Sequence, residues 1–353
     1  MKTAYLLKSL ILSAFCLSFS LSALAGDNET INATNTNKWT HRVQGFVLFR
    51  YEDERFSFRS DRSRLRFIGN LGIALSNEQW SIQSRLTTGL RDKQNVPAMT
   101  LVHFSEQPQP DSDIYVDRLF IRYHSSQWGA VTLGKQPWPL KNASDAFWDR
   151  HLHPIGVTWQ GTSMPLTLSY LKPLDGASST VGEMFLAQAH LTGQFSPDLT
   201  WQLYPWFVSY HGAQAEYATR DTLIDHMSWR LSSWLTFKNF QLGLDLGKNT
   251  DAPKEDYGDL SWAIQLTHGE LQHVGNAQWH VRVLQTERYG VVTEFAQNAV
   301  AGFSTSNIKG FDVRYRYRIN PKVWIGTRYS DIKTINKPVK EGQRLRIELG
   351  LTL

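Results

Sequence analysis

The stretch "DVRYRYRI" (Asp312 to Ile319) sets an arginine at every second position, with an aromatic or aliphatic residue between. At the period of two that a β-strand imposes, Arg314, Arg316 and Arg318 share one face, and Val313, Tyr315, Tyr317 and Ile319 the other. A soluble sandwich would bury the apolar face and leave the arginines in water. A membrane barrel would turn the apolar face to lipid and the arginines into an aqueous lumen. One strand is compatible with both, so the decision rests on the rest of the chain.

The same alternation recurs from His41 onward. "RSRLRFIGNLGIAL" sets Leu65, Phe67, Leu71, Ile73 and Leu75 against Arg62, Arg64, Arg66 and Asn70. "FQLGLDLG" and the terminal "RLRIELGLTL" repeat it, the latter with Leu345, Ile347, Leu349 and Leu351 opposite Arg344, Arg346 and Glu348. About sixteen such segments follow one another, each long enough for a tilted membrane strand of roughly 9–11 residues. Their expected spans are 41–51, 61–75, 78–90, 114–124, 128–135, 155–161, 165–172 and 184–195, then 198–211, 226–237, 239–249, 257–268, 276–288, 307–319, 321–332 and 343–353. The 198–211 segment is interrupted by Pro205, which removes a ladder donor.

Tight links such as "SNE", "SSQ", "SPD" and "NP" alternate with long ones at 91–113, 136–154, 211–225 and 289–306. Short turns on one rim and long loops on the other are the plan of an outer-membrane barrel. The polar faces carry Arg, Gln, Thr and Gly, and no second sheet or helix is left to cover the apolar ones. The expected fold is therefore all-β, a transmembrane antiparallel up-and-down barrel of about sixteen strands.

The first 25 residues have Lys2 and Lys8 before an apolar run that ends Ala23-Leu24-Ala25, the form of a secretory signal peptide. The expected organisation is a signal over 1–25, a flexible leader over 26–40 and a barrel over 41–353. Cys16, the one cysteine, lies in the signal, so no disulfide or cysteine-ligated metal is expected in the mature chain. Without the two signal lysines, 35 basic residues face 32 acidic ones, too small an excess to indicate nucleic acid as a partner. Aromatic residues make up 12%, which suits girdles at two bilayer interfaces.

Closing the sheet sets the last strands beside the first and gathers the inward arginines. These are Arg42, Arg50, Arg62, Arg64, Arg66 and Arg85, with Arg118 and Arg122 on the fourth strand and Arg314, Arg316, Arg328, Arg344 and Arg346 across the seam. They form a basic wall that needs water or carboxylates, and Asp312 and Glu348 can serve a few. The loop "QPWPLKNASDAFWDRHLHP" (136–154) is the candidate constriction. Asn142 or Ser144 could cap a short helix that sets Asp145 and Asp149 on one face, opposite the arginines. His151 and His153 could share a face of an extended segment, but no acidic cluster at ligand spacing accompanies them, and no metal or cofactor is expected. No nucleophile elbow or phosphate loop appears. Ser261 and His280 sit on strands where a hydrolase pair could form.

"RSRLRFIGNLGIAL", "WSIQSRLTTG", "YVDRLFIRYHSSQWGAVTLGKQPWPL" and "SDAFWDRHLHPIGVTWQG" together resemble the bacterial porin family, relatives of the general sixteen-stranded porins. The resemblance is densest over 62–160. It implies a passive outer-membrane channel for small hydrophilic solutes, not an enzyme, whose third loop, with Asp145, Asp149 and Arg150, narrows the pore. Departures are the histidines at 151 and 153, where carboxylate or amide character is expected, and Leu353 where an aromatic residue usually ends the chain. Expected partners are outer-membrane lipid and lipopolysaccharide, the outer-membrane assembly machinery and small solutes; the oligomeric state is open, a homotrimer included. The basic wall favours a weak preference for anions. The rival readings are a loop-plugged barrel acting as an adhesin or scaffold, and an outer-membrane lipid hydrolase.

Overall fold

The computed structural model describes residues 38–90, 97–105, 112–173, 182–212, 225–253, 258–297 and 303–353. The expected signal and nearly all of the leader lie outside the described residues.

Eighteen strand segments appear among the described residues: β1 (Thr40–Phe56), β2 (Arg62–Ser76), β3 (Trp80–Gly89), β4 (Met99–His103), β5 (Asp113–Ser125), β6 (Gly129–Lys135), β7 (Ile155–Gln160), β8 (Leu166–Lys172), β9 (Gly182–Ala189), β10 (Leu191–Ser196), β11 (Leu199–Gly212), β12 (His226–Phe237), β13 (Phe240–Asn249), β14 (Leu260–Gly269), β15 (Ala277–Thr286), β16 (Ile308–Asn320), β17 (Val323–Thr334) and β18 (Glu341–Thr352). They form one antiparallel sheet that closes where β1 pairs with both β2 and β18. The segments make sixteen barrel staves. β4 continues the line of β3 along β2, and β9 and β10 lie end to end along β11.

The break between β9 and β10 has a local cause. The registers place Pro205 of β11 beside Ala189 and Tyr204 beside His190. Proline cannot donate to the ladder, so pairing lapses there. On the β8 side the His190 amide donates to the Pro165 carbonyl at 2.7 Å, which continues the β8–β9 register. On its other side Pro205 stays in register with Leu231, so β11 runs unbroken through the proline.

The two sheet faces differ sharply. One carries Leu71, Ile73, Leu119, Leu133, Trp229, Leu242, Ile264, Val283, Ile325 and Ile347, all exposed. The other carries the buried charges Glu52, Glu54, Arg64, Arg66, Asp312 and Arg344. An apolar belt around a closed sheet far exceeds the few hundred Å² that a soluble monomer tolerates. Lipid is its solvent, and the barrel spans a membrane. Aromatic pairs mark both edges of the belt. Trp80–Tyr123 (4.6 Å) and Trp279–Tyr315 (4.6 Å) lie near the rim of short turns, and Phe207–Trp229 (4.9 Å) and Phe311–Tyr329 (6.1 Å) near the rim of long loops.

Candidate functional site

Three successive inward positions on β1, Arg50, Glu52 and Glu54, organise the wall. The register aligns Arg50 with Glu348 of β18 and Arg66 of β2, Glu52 with Arg346 and Arg64, and Glu54 with Arg344 and Arg62. The middle row continues through Arg328 of β17 to Arg314 of β16. Five neighbouring strands thus present Arg64, Glu52, Arg346, Arg328 and Arg314 in one line, four guanidinium groups against one carboxylate.

Glu52, fully buried, holds this line together. Its Oε2 accepts from Arg64 Nη2 at 2.8 Å and Arg66 Nη1 at 3.1 Å, and its Oε1 from Arg346 Nε at 2.8 Å. Arg50 Nε donates to Glu348 at 2.8 Å, and Arg62 Nε to Glu54 at 2.8 Å. Asp312 takes Arg282 Nε at 2.7 Å, with Arg328 Nε 3.2 Å away. Arg314 makes no ion pair among the described residues, and Arg316 lies 4.7 Å over the Trp324 ring.

The 136–154 loop folds into the lumen as bends, without the helix expected over "DAFWDR". A helix there would join the Asp149 N–H to the Asp145 carbonyl. Instead the Asp149 N–H donates to the Phe295 carbonyl at 2.6 Å and the Asp145 carbonyl accepts from the Gln297 N–H at 3.1 Å, while the wall holds the residues just before. Gln188 of β9 exchanges two hydrogen bonds of 2.8 Å with the Lys141 backbone. Asp245 of β13 accepts from the amides of Ala143 (3.1 Å) and Ser144. Arg282 of β15 binds Asp145 at 2.6 Å. The loop therefore crosses from β6 to the far wall and returns, its ends joined by Gln136 N–H to Pro154 O at 2.9 Å.

Apolar packing fixes this strap. Trp138 and Trp148 stack at 4.1 Å, and Phe147 meets Trp206 of β11 at 5.3 Å. Leu140, Trp148 and Leu152 pack with Leu171, Leu186 and Val208 of the wall and with Val291, Val292 and Phe295 of the 287–297 segment. The returning end is tied at β5. Arg85 pairs with Asp117 (Nε to Oδ1, 2.9 Å), and Arg118 Nε donates to His153 Nε2 at 2.9 Å. Burial and the charges of Arg118, Arg85 and Lys135 hold His153 well below its ordinary range, so its ring is a neutral acceptor at Nε2. His151 is likewise lowered by burial and by Arg150 and Arg50.

The two strap carboxylates expected to face the arginines sit in different surroundings. Burial works against Asp145, but Arg282, Arg150, Arg328 and Arg314 outweigh it and hold its carboxyl below the usual value. Asp149 is buried, accepts from the His151 amide at 2.8 Å, and is pushed up to about 7 by burial and by the Asp145 charge. The exposed charges of the strap are Lys141 and Arg150, both cationic, and Arg150 is the one beside the wall. It lies within electrostatic reach of Arg314 and Arg316.

Of the other wall residues named from sequence, Arg122 donates to Gln160 at 2.8 Å, and Arg42 is exposed near the start of β1. Sequence reasoning missed Glu52, Glu54, Arg282 and Asp245. "RYEDER" does show Arg50, Glu52 and Glu54 on one face, which was the available signal for the first two. Ser261 and His280 are not a pair. Ser261 is in register with Thr286, six residues from His280, or about 20 Å along the strand. His280 instead contacts Thr267 Oγ1 at 3.2 Å.

No family model matches the sequence, and no curated protein matches it. Solved structures do match the fold. *Pseudomonas putida* OprB superposes with a TM-score of 0.57 at 8% identity, over 89% of this chain and 94% of that one. *Salmonella typhi* OmpF, solved in complex with daunomycin, gives 0.55 at 10% identity over 89% and 97%. *Acinetobacter baumannii* OccAB4 gives 0.52 at 10% identity over 90% and 100%. The chain has the fold of the sixteen-stranded outer-membrane porins.

Proposed function

We propose that the barrel is an outer-membrane channel for diffusion of small hydrophilic solutes and ions, with a preference for anions. The supporting observation is the row Arg64–Glu52–Arg346–Arg328–Arg314, with Arg150 of the strap facing its unpaired end. A net positive field inside low-dielectric walls raises the local concentration of anions. In this reading residues 1–25 direct export, the assembly machinery inserts the barrel, and lipid with lipopolysaccharide solvates the belt.

The packed 136–154 loop and 287–297 segment favour a second reading, a plugged barrel serving as a scaffold. Bilayer recordings separate the two, because a plugged barrel seals. Across a salt gradient, an anion-preferring pore makes the dilute side negative. In the R150Q/R314Q/R316Q variant that potential moves toward the cation side. An unchanged potential rejects the role of these three arginines.

A further inference from the structure

We propose that the outward face of β11 carries a serine hydrolase site for fatty-acyl esters of the surrounding lipid, formed by Ser209, His211 and Asp225. Ser209 Oγ lies 2.8 Å from His211 Nε2, and His211 Nδ1 lies 3.3 Å from Asp225 Oδ2. Two residues apart on one strand, Ser209 and His211 share a face, the one opposite the buried Val208 and Tyr210. Asp225 immediately precedes β12, where His226 is in register with Tyr210, so it falls beside His211.

The order of groups is that of a nucleophile, a base and the base's orienter. An Nδ1–H donated to Asp225 leaves Nε2 as the acceptor for the Ser209 hydroxyl. Glu183 is in register with His211, and Asp251 lies nearby.

Position selects the substrate. The trio sits just beyond the Phe207–Trp229 pair of the loop-side girdle, and Ser209 is in register with the exposed Phe185. Lipid ester groups lie at that level, with acyl chains against the belt and headgroups in water. His211 and Asp225 have side chains 67% and 51% exposed, so the trio is open to an approaching headgroup.

The Ser209 oxygen adds to the ester carbonyl carbon while its proton passes to His211 Nε2. The tetrahedral intermediate expels the alkoxide, which takes that proton from His211. Water, deprotonated by the same imidazole, then releases the fatty acid and restores Ser209. The strand amides around Ser209 are engaged in pairing on both sides, so the oxyanion lacks preorganised donors. Loss of even one such donor costs about 10²–10³ in rate. Covalent capture is therefore a more sensitive readout than turnover.

The full-length protein, folded in detergent, is treated with a fluorophosphonate probe and mapped by mass spectrometry. Fatty-acid release is followed separately from phosphatidylethanolamine vesicles and from lipopolysaccharide. Expected are label on Ser209, none at that position in S209A, and labelling at least tenfold slower in H211Q, with release from one of the two lipids identifying the source. Unaltered bilayer conductance in the same preparations certifies folding of these surface variants and reads the lumen independently. Absence of label on Ser209, or equal labelling of H211Q and wild type, overturns the site. Labelling without release from either lipid overturns the lipid assignment.

Discussion

Replacing Glu52 with glutamine removes one charge from the point where the basic wall is most tightly coupled. Glu52 accepts from Arg64 (2.8 Å), Arg66 (3.1 Å) and Arg346 (2.8 Å), and Arg50 Nη1 lies 3.6 Å away. All four guanidinium groups are nearly or fully buried, so water cannot replace the lost carboxylate cheaply. Breaking a buried pair from one side costs about 3–5 kcal/mol. That is roughly two to four powers of ten in the folding equilibrium. E52Q should therefore unfold at clearly lower urea in lipid vesicles. E52Q/R346M, which removes a cation along with the anion, should recover part of the loss. Folded E52Q should also be more anion-selective, since its wall gains one net positive charge. If E52Q unfolds within about 0.5 kcal/mol of wild type, as surface substitutions do, the network is not the cohesive element described.

Arg282 bridges Asp312 at 2.7 Å and Asp145 at 2.6 Å, so R282Q should both destabilise the barrel by about 3 kcal/mol or more and loosen the strap, seen as noisier single-channel current. Gly247 leaves room for Arg230, whose Nη1 would lie 2.1 Å from an added Cβ, and whose guanidinium covers Phe147 at 4.6 Å and Trp206 at 5.2 Å. G247A should lower stability by about 1–3 kcal/mol in the same urea assay. Asp149, at about 7 in the fold against about 3.9 unfolded, binds its proton more tightly when folded. Its contribution to stability is thus complete below about pH 4 and declines as pH rises to about 7. The stability difference between D149N and wild type should follow that window, with Asp145, Arg150, His151 and Arg328 as the charged or titratable groups around it. A pH-independent difference contradicts the burial of this carboxyl.

The barrel was legible because its signal is local and repeated. "DVRYRYRI" and "RLRIELGLTL" state their two faces without reference to any neighbour, and the observed β16 and β18 follow the expected spans closely. What stayed hidden depends on which strand lies beside which. Glu52 meets Arg346 only because closure joins β1 to β18, so composition alone suggested bare arginines where the fold holds an interleaved network. The helix over "DAFWDR" failed for a similar reason. Local spacing permits it, but the distant Phe295 carbonyl takes the Asp149 amide and the Gln297 amide takes the Asp145 carbonyl, the two groups that the helix would have joined. β4 was missed within the expected 91–113 loop, where "MTLVH" is too short for its pairing with β2 to show. Pro205 signals an interruption correctly, but the interruption falls on the neighbouring β9–β10 stave, whose partner donor it removes.

The central claim is a water-filled lumen whose net charge is positive. Single-channel recording of the purified, folded protein in a planar bilayer under a potassium chloride gradient tests it most directly. The account predicts stable ohmic openings and a zero-current potential that leaves the dilute side negative. A bilayer that stays sealed, or openings with the dilute side positive, would contradict it.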